Sequence, residues 1–182
     1  FQNIFSDLTL FEGIKLLPPA TSLTYSIEST NLSQEKYWDY SFDDEIPSGS
    51  KDDYLEELER LFEQAVTRQL VSDVEIGSYL SGGMDSGSIT CVAASHFPYL
   101  KTFTGGFDLS SASGLEMGFD ERKKAEFLSN KFKTEHYEVV LKAGDMERVM
   151  KDLVWHLEDM RVGQSYPNYY VSRLASKFVK VV

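Results

Sequence analysis

The stretch that decides the fold is VEIGSYLSGGMDSGSITCVAASHF, residues 74–97. Its beginning, residues 74–80, has the pattern of a short strand, and its end, residues 87–97, has the pattern of a helix. Between them lies SGGMDS, residues 81–86, a connection with two adjacent glycines. A strand that passes through a tight glycine turn into a helix is the repeating unit of an α/β fold.

This connection has the composition of an anion-binding loop. Gly82 and Gly83 allow the backbone to turn tightly and to approach a ligand with no Cβ in the way. The free N–H groups at the start of the next helix, with the helix dipole behind them, attract a phosphate group. Ser81 and Ser86 add hydroxyl donors, and Asp85 is able to hold a divalent cation through oxygen. The loop lacks the lysine of a Walker A loop and the spacing of a dinucleotide fingerprint. The alternative is a turn whose glycines serve geometry alone.

Helix and strand patterns alternate along the rest of the chain. In chain order they are helix 51–70, strand 74–80, helix 87–97, strand 101–107, helix 119–132, strand 134–141, helix 146–157, helix 169–178 and strand 179–182. Ser50 begins a capping-box pattern, and Asp145 is expected to cap the helix that follows it. The alternation predicts an α/β fold, a doubly wound parallel sheet with helices on both faces. Ligands in such folds bind beyond the carboxyl ends of the strands, where the Ser81 loop is placed.

The first 42 residues differ from the rest. They are rich in Thr, Ser and aromatic residues, with strand-like runs over 9–17 and 22–27 that Pro18 and Pro19 separate. The acidic segment that follows contains both proline and glycine, so we assign 43–50 as a linker and 51–182 as a separate domain. The abrupt ends of the pattern predict that the chain is a fragment of a longer protein.

The amino-acid composition narrows the classes of protein to which the chain can belong. Of the 182 residues, 42% are hydrophobic, which suffices for a packed core. The 29 acidic residues outnumber the 18 basic ones, for a net charge of -11, and this argues against nucleic acid as a partner. Cys91 is the single cysteine, so no intramolecular disulfide is expected. No apolar run is long enough to span a membrane and no signal peptide is visible, so a cytoplasmic location is the default expectation.

Residues 80–86 resemble the pyrophosphate-binding loop of the N-type ATP pyrophosphatases. Those enzymes cleave ATP to AMP and pyrophosphate while they adenylate a carboxylate or a carbonyl oxygen. The loop alone does not choose among asparagine synthetase, GMP synthetase, NAD synthetase and tRNA-lysidine synthetase, which all resemble it there.

The flanking segments narrow the resemblance to the glutamine-hydrolysing asparagine synthetases. Residues 10–19, LFEGIKLLPP, are similar to the end of the glutaminase domain of that family, and residues 37–39 to the segment that follows it. Further similar segments lie in the synthetase part, at 102–108, 119–121, 135–138, 155–158 and 169–172. The similarity covers nearly the whole chain. It implies a glutaminase remnant over 1–42 and the amino-terminal part of an adenine nucleotide alpha hydrolase-like domain over 51–182.

The resemblance also implies a reaction. ATP and Mg²⁺ convert aspartate to β-aspartyl-AMP, and ammonia derived from glutamine displaces AMP to give asparagine. A homodimer is one assembly that the resemblance allows.

The resemblance also assigns roles to residues of this chain that stand at the positions of the family's site residues. Leu80 and Gly105 would meet the adenosine through backbone groups. Pyrophosphate would be held by the loop residues Ser81, Gly82, Gly83 and Ser86. Asp85 would bind Mg²⁺. Glu158 matches a glutamate near the aspartyl-AMP and ammonia site, where a carboxylate would orient ammonia or accept a proton; its alternative role is a solvated acid at a helix end.

Some positions depart from the family pattern. Ala20 stands where the family has glycine, and Arg161 and residues 163–165 differ from the aspartate-binding segment. The sequence shows neither an N-terminal cysteine nucleophile nor the second ATP-contacting motif, so the fragment alone is expected to be inactive. Two alternatives therefore stay open. One is the same scaffold with another acceptor, as in β-lactam synthetase or lasso-peptide cyclase, and the other is a non-catalytic nucleotide-binding member.

Overall fold

The computed structural model describes residues 4, 6–42, 49–111, 118, 120–158 and 165–182. Two strands near the amino terminus, β1 (Thr21–Ser26) and β2 (Asn31–Lys36), form an antiparallel hairpin in which Thr21 pairs with Lys36. The sequence predicted the first strand and missed the second. The second reads Asn-Leu-Ser-Gln-Glu-Lys, which has no hydrophobic alternation because every residue of it is exposed.

The strand predicted over residues 9–17 is wrong. The chain makes a single antiparallel bridge there, between Leu8 and Lys15. The hydroxyl of Thr9 donates to the carbonyl oxygens of Phe11 and Ile14, at 3.0 and 2.7 Å, and closes a turn. Such local side-chain bonds offer the backbone an alternative to a sheet ladder.

The central sheet is parallel, and its three strands are β3 (Gly77–Tyr79), β4 (Lys101–Phe107) and β5 (Glu135–Leu141), in that spatial order. A parallel bridge between Ile76 and Val181 lies next to β3. The strand predicted over 179–182 is thus reduced to one bridged residue in the structure. Strand β3 thus pairs with β4 on one edge, and the residue before it bridges to Val181 on the other edge. Later parts of the chain on both edges of one strand are the pattern of a switch in strand order.

The helices in the described part of the chain are α1 (Lys51–Gln69), α2 (Met84–His96), α3 (Arg122–Phe132), α4 (Asp145–Leu157) and α5 (Ser165–Ala175). None of the helices in the described ranges has the length and the apolar run needed to cross a membrane.

Helix starts differ from the sequence prediction at four places, one of which is α3, since it begins at Arg122 rather than at residue 119. The capping box of α1 is confirmed, since the Ser50 hydroxyl accepts from the N–H of Asp53 at 3.2 Å and the Asp53 carboxylate accepts from the N–H of Ser50 at 2.8 Å. Helix α2 begins at Met84 rather than at residue 87, and α5 begins at residue 165 rather than at 169. Asp145 is the first residue of α4 and not its cap; its carboxylate accepts from the N–H of Lys142 at 2.7 Å.

Adjacent glycines of β4 show that helices cover both faces of the sheet. A Cβ at Gly105 would lie 2.9 Å from Val171 of α5, and a Cβ at Gly106 would lie 2.2 Å from the Nε atom of Arg122 of α3. Successive residues of a strand point to opposite faces, so α5 and α3 lie on opposite sides. A parallel sheet flanked by helices is therefore confirmed, and the doubly wound order of a complete sheet stays a prediction.

The face toward α5 is apolar. Phe103 is fully buried there among Val171, Ala175 and Val179, with the ring of Tyr137 stacked at 5.8 Å between centroids. Burial of such side chains contributes about 2 kcal/mol each to folding. This packing fixes β4 against α5, and with it the edge of the sheet described below.

Candidate functional site

A cavity of about 600 Å³ opens at the carboxyl edge of the parallel sheet. Its walls come from the ends of all three strands, from the loop after β3 and from the first turns of α5. The lining residues are Tyr79, Leu80, Ser81, Phe103, Thr104, Gly105, Phe107, Glu121, Leu141, Tyr166, Pro167, Asn168 and Val171. A cavity of this size and place is what a parallel α/β sheet provides for a small-molecule ligand.

The loop after β3 is held to the sheet at its first residue. Leu80 is fully buried, and its N–H donates to the carbonyl oxygen of Phe103 at 2.9 Å. Two residues later, Gly82 has φ +78°, a left-handed conformation that favours glycine. A Cβ at Gly82 would lie only 2.5 Å from the Cβ of Lys124. Glycine is therefore required here by both the backbone conformation and the close approach of α3.

The two serines of the loop bond to each other. Their hydroxyl oxygens lie 2.9 Å apart, and the Ser86 hydroxyl accepts from the N–H of Ser81 at 3.2 Å. The Ser81 hydroxyl also accepts from the N–H of Gly83, at 3.3 Å. These bonds fix the curvature of residues 81–86 with no ligand required, so that the loop is shaped in advance for whatever it binds.

Helix α2 presents its first turn to this loop. Gly83 is the N-cap residue, in an extended conformation, and no side chain caps the helix. The first N–H groups of a helix have no partner within it, so those of α2 are available to an anion together with the positive end of the helix dipole. Met84, Asp85 and Ser86 belong to this first turn, whereas the sequence prediction had placed them in the loop.

Asp85 fits the role of a magnesium ligand that shares its metal with a phosphate. Its side chain lies exposed in the first turn of α2. Within the described residues, no group of three or more His, Cys, Asp or Glu side chains is arranged to hold a metal ion. Mg²⁺ in nucleotide sites is bound by one or two carboxylates with phosphates and water completing its shell. A single exposed carboxylate in the first turn of α2 suits that mode.

An ion pair between Arg122 and Asp120 stabilises the wall of the cavity that contains Glu121. Arg122 lies over Gly106 and donates through Nη2 to the carbonyl oxygen of Phe107 at 2.9 Å, while its Nε donates to Asp120 at 2.9 Å. The hydrogen bonds from Arg122 hold the pKa of the Asp120 carboxyl below its usual value. The pair ties the end of β4 to the start of α3, and Glu121, between its partners in sequence, lines the cavity.

Glu158 lies apart from these groups. It is the C-cap residue of α4, with φ +48°, and its N–H donates to the carbonyl oxygen of Val154 at 3.1 Å. It is exposed and is not one of the residues that line the cavity. Of the residues predicted from sequence, Leu80, Ser81 and Gly105 line the cavity, and Gly82, Gly83, Asp85 and Ser86 lie in the loop or the helix turn next to it. The role predicted for Glu158 stays a prediction.

Several lining residues were missed or interpreted differently at the sequence level. Tyr166, Pro167 and Asn168 precede the helix predicted over 169–178, yet they lie in the first turn of α5 and line the cavity. Phe107 and Leu141 are the last residues of β4 and β5. The rule that places ligands beyond strand ends would have found both of these once the strands were predicted.

The sequence matches the family profile described as asparagine synthase over residues 57–182. This match covers more than half of the chain, and the chain therefore belongs to the asparagine synthase family.

Comparisons with individual proteins support the same family. The chain is 34% identical over 166 residues to glutamine-hydrolyzing asparagine synthetase 3 of Bacillus subtilis (strain 168), which covers 87% of this chain and 25% of that protein. It is 29% identical to a putative glutamine-hydrolyzing asparagine synthetase 2 of Methanocaldococcus jannaschii, over 97% of this chain and 33% of that protein. It is 30% identical to the glutamine-hydrolyzing asparagine synthetase of Triphysaria versicolor, over 94% of this chain and 29% of that protein. The chain thus spans a quarter to a third of the length of these curated relatives.

Proposed function

We propose that this chain supplies the ATP-binding part of an amidotransferase that makes asparagine. The observation that carries the proposal is the Ser81–Ser86 hydroxyl pair, at 2.9 Å, in a loop that borders a cavity of about 600 Å³. In this proposal residues 1–42 end a glutaminase domain, 43–50 link it to the next, and 51–182 begin a synthetase domain with a doubly wound, adenine nucleotide alpha hydrolase-like sheet.

The cavity would receive the adenosine and the loop the outer phosphates of ATP. Leu80 and Gly105 would meet the nucleoside through backbone groups, since both line the cavity and Gly105 has no side chain to offer. The N–H groups of the first turn of α2 and the hydroxyls of Ser81 and Ser86 would hold the pyrophosphate. These donors stand fixed where negative charge builds up as the bond between the α- and β-phosphates breaks, which is the situation in which preorganised donors lower a barrier.

Asp85 would hold Mg²⁺ beside the loop that receives the phosphates. When bound, the metal would offset phosphate charge and orient the leaving pyrophosphate. In the proposed reaction, the side-chain carboxylate of aspartate attacks the α-phosphate and releases pyrophosphate. Ammonia from glutamine then attacks the acyl carbon and releases AMP. Glu158 is proposed to lie near the ammonia and to accept its proton.

One observation favours a second candidate, the same scaffold with a different acceptor. The only charged side chain among the described lining residues is that of Glu121, and the lining includes no Lys or Arg. The α-carboxylate of aspartate is best bound by a cation, arginine above all. An acceptor such as that of a β-lactam synthetase or a lasso-peptide cyclase, with an intramolecular amine in place of ammonia, would suit the described walls.

A substrate screen separates the two candidates. The complete gene product is incubated with ATP, Mg²⁺ and either aspartate or other carboxylates, and pyrophosphate release is followed. Asparagine formation from aspartate and glutamine supports the first candidate. Pyrophosphate release with another carboxylate and none with aspartate supports the second. A third possibility, a non-catalytic member, predicts nucleotide binding with no pyrophosphate release at all.

A further inference from the structure

A second, smaller cleft lies against the outer side of the same loop. Its volume is about 320 Å³, and Gly82 forms one wall while α3 forms the others. The residues of α3 that line it are Lys123, Lys124, Phe127 and Leu128. The loop is therefore flanked by the large cavity on one side and by a cleft that carries two lysines on the other.

Lys124 is the lysine of this cleft whose main chain and Cβ lie next to Gly82 of the loop. The position of a Cβ at Gly82 would be 2.5 Å from the Cβ of Lys124 and 3.1 Å from its carbonyl carbon. The backbone of Lys124 and its Cβ therefore lie directly against Gly82, with no room between them for a side chain. From there a flexible four-carbon stem carries the ammonium group, with three donors that can rotate toward an anion.

The lysine is also free to take on that role. Within the described residues, Lys123 and Lys124 take part in none of the ion pairs, whereas Lys15, Lys36 and Lys101 each pair with a carboxylate. The loop itself contributes neutral donors and one negative charge, that of Asp85. In a protein with a net charge of -11, a positively charged side chain beside the loop would lower the repulsion of a polyphosphate further than Mg²⁺ alone.

We propose that the ammonium group of Lys124 is a further ligand of the pyrophosphate group, bound from the α3 side of the loop. This inference rests on the proposed function, since it requires that the loop binds pyrophosphate. Hydrogen bonds from a charged donor to phosphate are about twice as strong as those between neutral groups. Lys124 thus adds affinity for the doubly charged end of the ligand, to which the backbone N–H groups contribute neutral donors only.

The test is calorimetric titration of the complete gene product with inorganic pyrophosphate in the presence of Mg²⁺. Lys124→Gln removes the charge and keeps a good helix former. The variant is expected to bind pyrophosphate about tenfold more weakly, the lower range for a charged hydrogen bond because this lysine is exposed. Lys124→Arg is expected to recover most of the affinity. Lys131→Gln, at an exposed position in the last turn of the same helix, is the matched control and is expected to bind as the wild type does.

Each outcome has a distinct meaning. The role of Lys124 is supported if the wild type binds pyrophosphate, if Lys124→Gln but not Lys131→Gln binds it more weakly, and if this difference in affinity becomes smaller at high salt. Wild-type binding with equal affinity in Lys124→Gln and Lys131→Gln overturns the role of Lys124 and leaves the proposed function standing. Absence of pyrophosphate binding in the wild type overturns the proposed function and this inference together. A melting temperature equal to that of the wild type excludes loss of fold as the cause of weaker binding in a variant.

Discussion

The hydroxyl oxygens of Ser81 and Ser86 lie 2.9 Å apart and close residues 81–86 into a loop at the edge of the sheet. The same Ser86 hydroxyl accepts from the backbone N–H of Ser81. One side chain in the first turn of α2 therefore sets the path of the chain as it leaves β3. The shape of the loop and the anion binding proposed for it therefore depend on the same few bonds.

Ser86→Ala is expected to lower both the stability of the fold and the affinity for pyrophosphate. Loss of this acceptor leaves the N–H of Ser81 without its partner and should lower the free energy of unfolding by about 1 kcal/mol. Pyrophosphate binding should weaken by about tenfold, because a donor and the loop curvature are lost together. Denaturant unfolding and calorimetry measure the two effects. Ser95→Ala, at an exposed position of the same helix, is the control, and an equal loss of binding there would refute the role of Ser86.

Gly82→Ala is expected to be more damaging than Gly144→Ala. Both glycines have positive φ, +78° and +85°. A Cβ at Gly144 would have only the end of the Arg148 side chain nearby, at 3.8 Å, whereas a Cβ at Gly82 would collide with Lys124. Backbone strain costs about 1–2 kcal/mol in each variant, and the collision adds about 1–3 kcal/mol at Gly82 alone. Denaturant unfolding measures the difference, and equal losses would show that the contact with α3 does not matter.

His136 predicts a pH dependence of stability. Its Nδ1 atom lies 2.9 Å from the hydroxyl of Thr102, and burial lowers the pKa of its imidazole, while Glu138 nearby opposes this shift. Since the unfolded chain then binds a proton more readily than the folded chain, stability should fall as the pH drops below about 6.5.

The check is the melting temperature between pH 7 and pH 5. His136→Gln is expected to reduce the decline over this range, because the group that gains a proton on unfolding is gone. His156→Gln, at an exposed position, is expected to keep the wild-type decline. A decline that persists unchanged in His136→Gln would rule out this histidine as its source.

The elements that could be predicted from sequence are those whose burial follows the periodicity of their secondary structure. Strand β4 was predicted with its observed bounds because both faces of it are covered, and a fully buried strand reads as a continuous apolar and small-residue run. The capping box of α1 was predicted because Ser50 and Asp53 act over three residues. In each case the deciding interactions lie close together in sequence.

The features that sequence analysis missed depend on contacts distant in sequence. Strand β2 is exposed throughout and is defined by pairing with β1. Tyr166, Pro167 and Asn168 line the cavity only because α5 packs over β4 and β5. The nearness of Lys124 to Gly82 likewise arises from the packing of α3 beside the loop, 42 residues further along the chain. No local pattern carries information of this kind.

The central claim is that the Ser81 loop and its cavity bind ATP for cleavage to AMP and pyrophosphate. The most direct measurement is product analysis of ATP incubated with the complete gene product, Mg²⁺, aspartate and ammonia, beside the variant Asp85→Asn. The account predicts AMP and pyrophosphate in equal amounts, dependent on the carboxylate substrate and strongly reduced in the variant. Formation of ADP and phosphate instead, or AMP formation unaffected by Asp85→Asn, would contradict it.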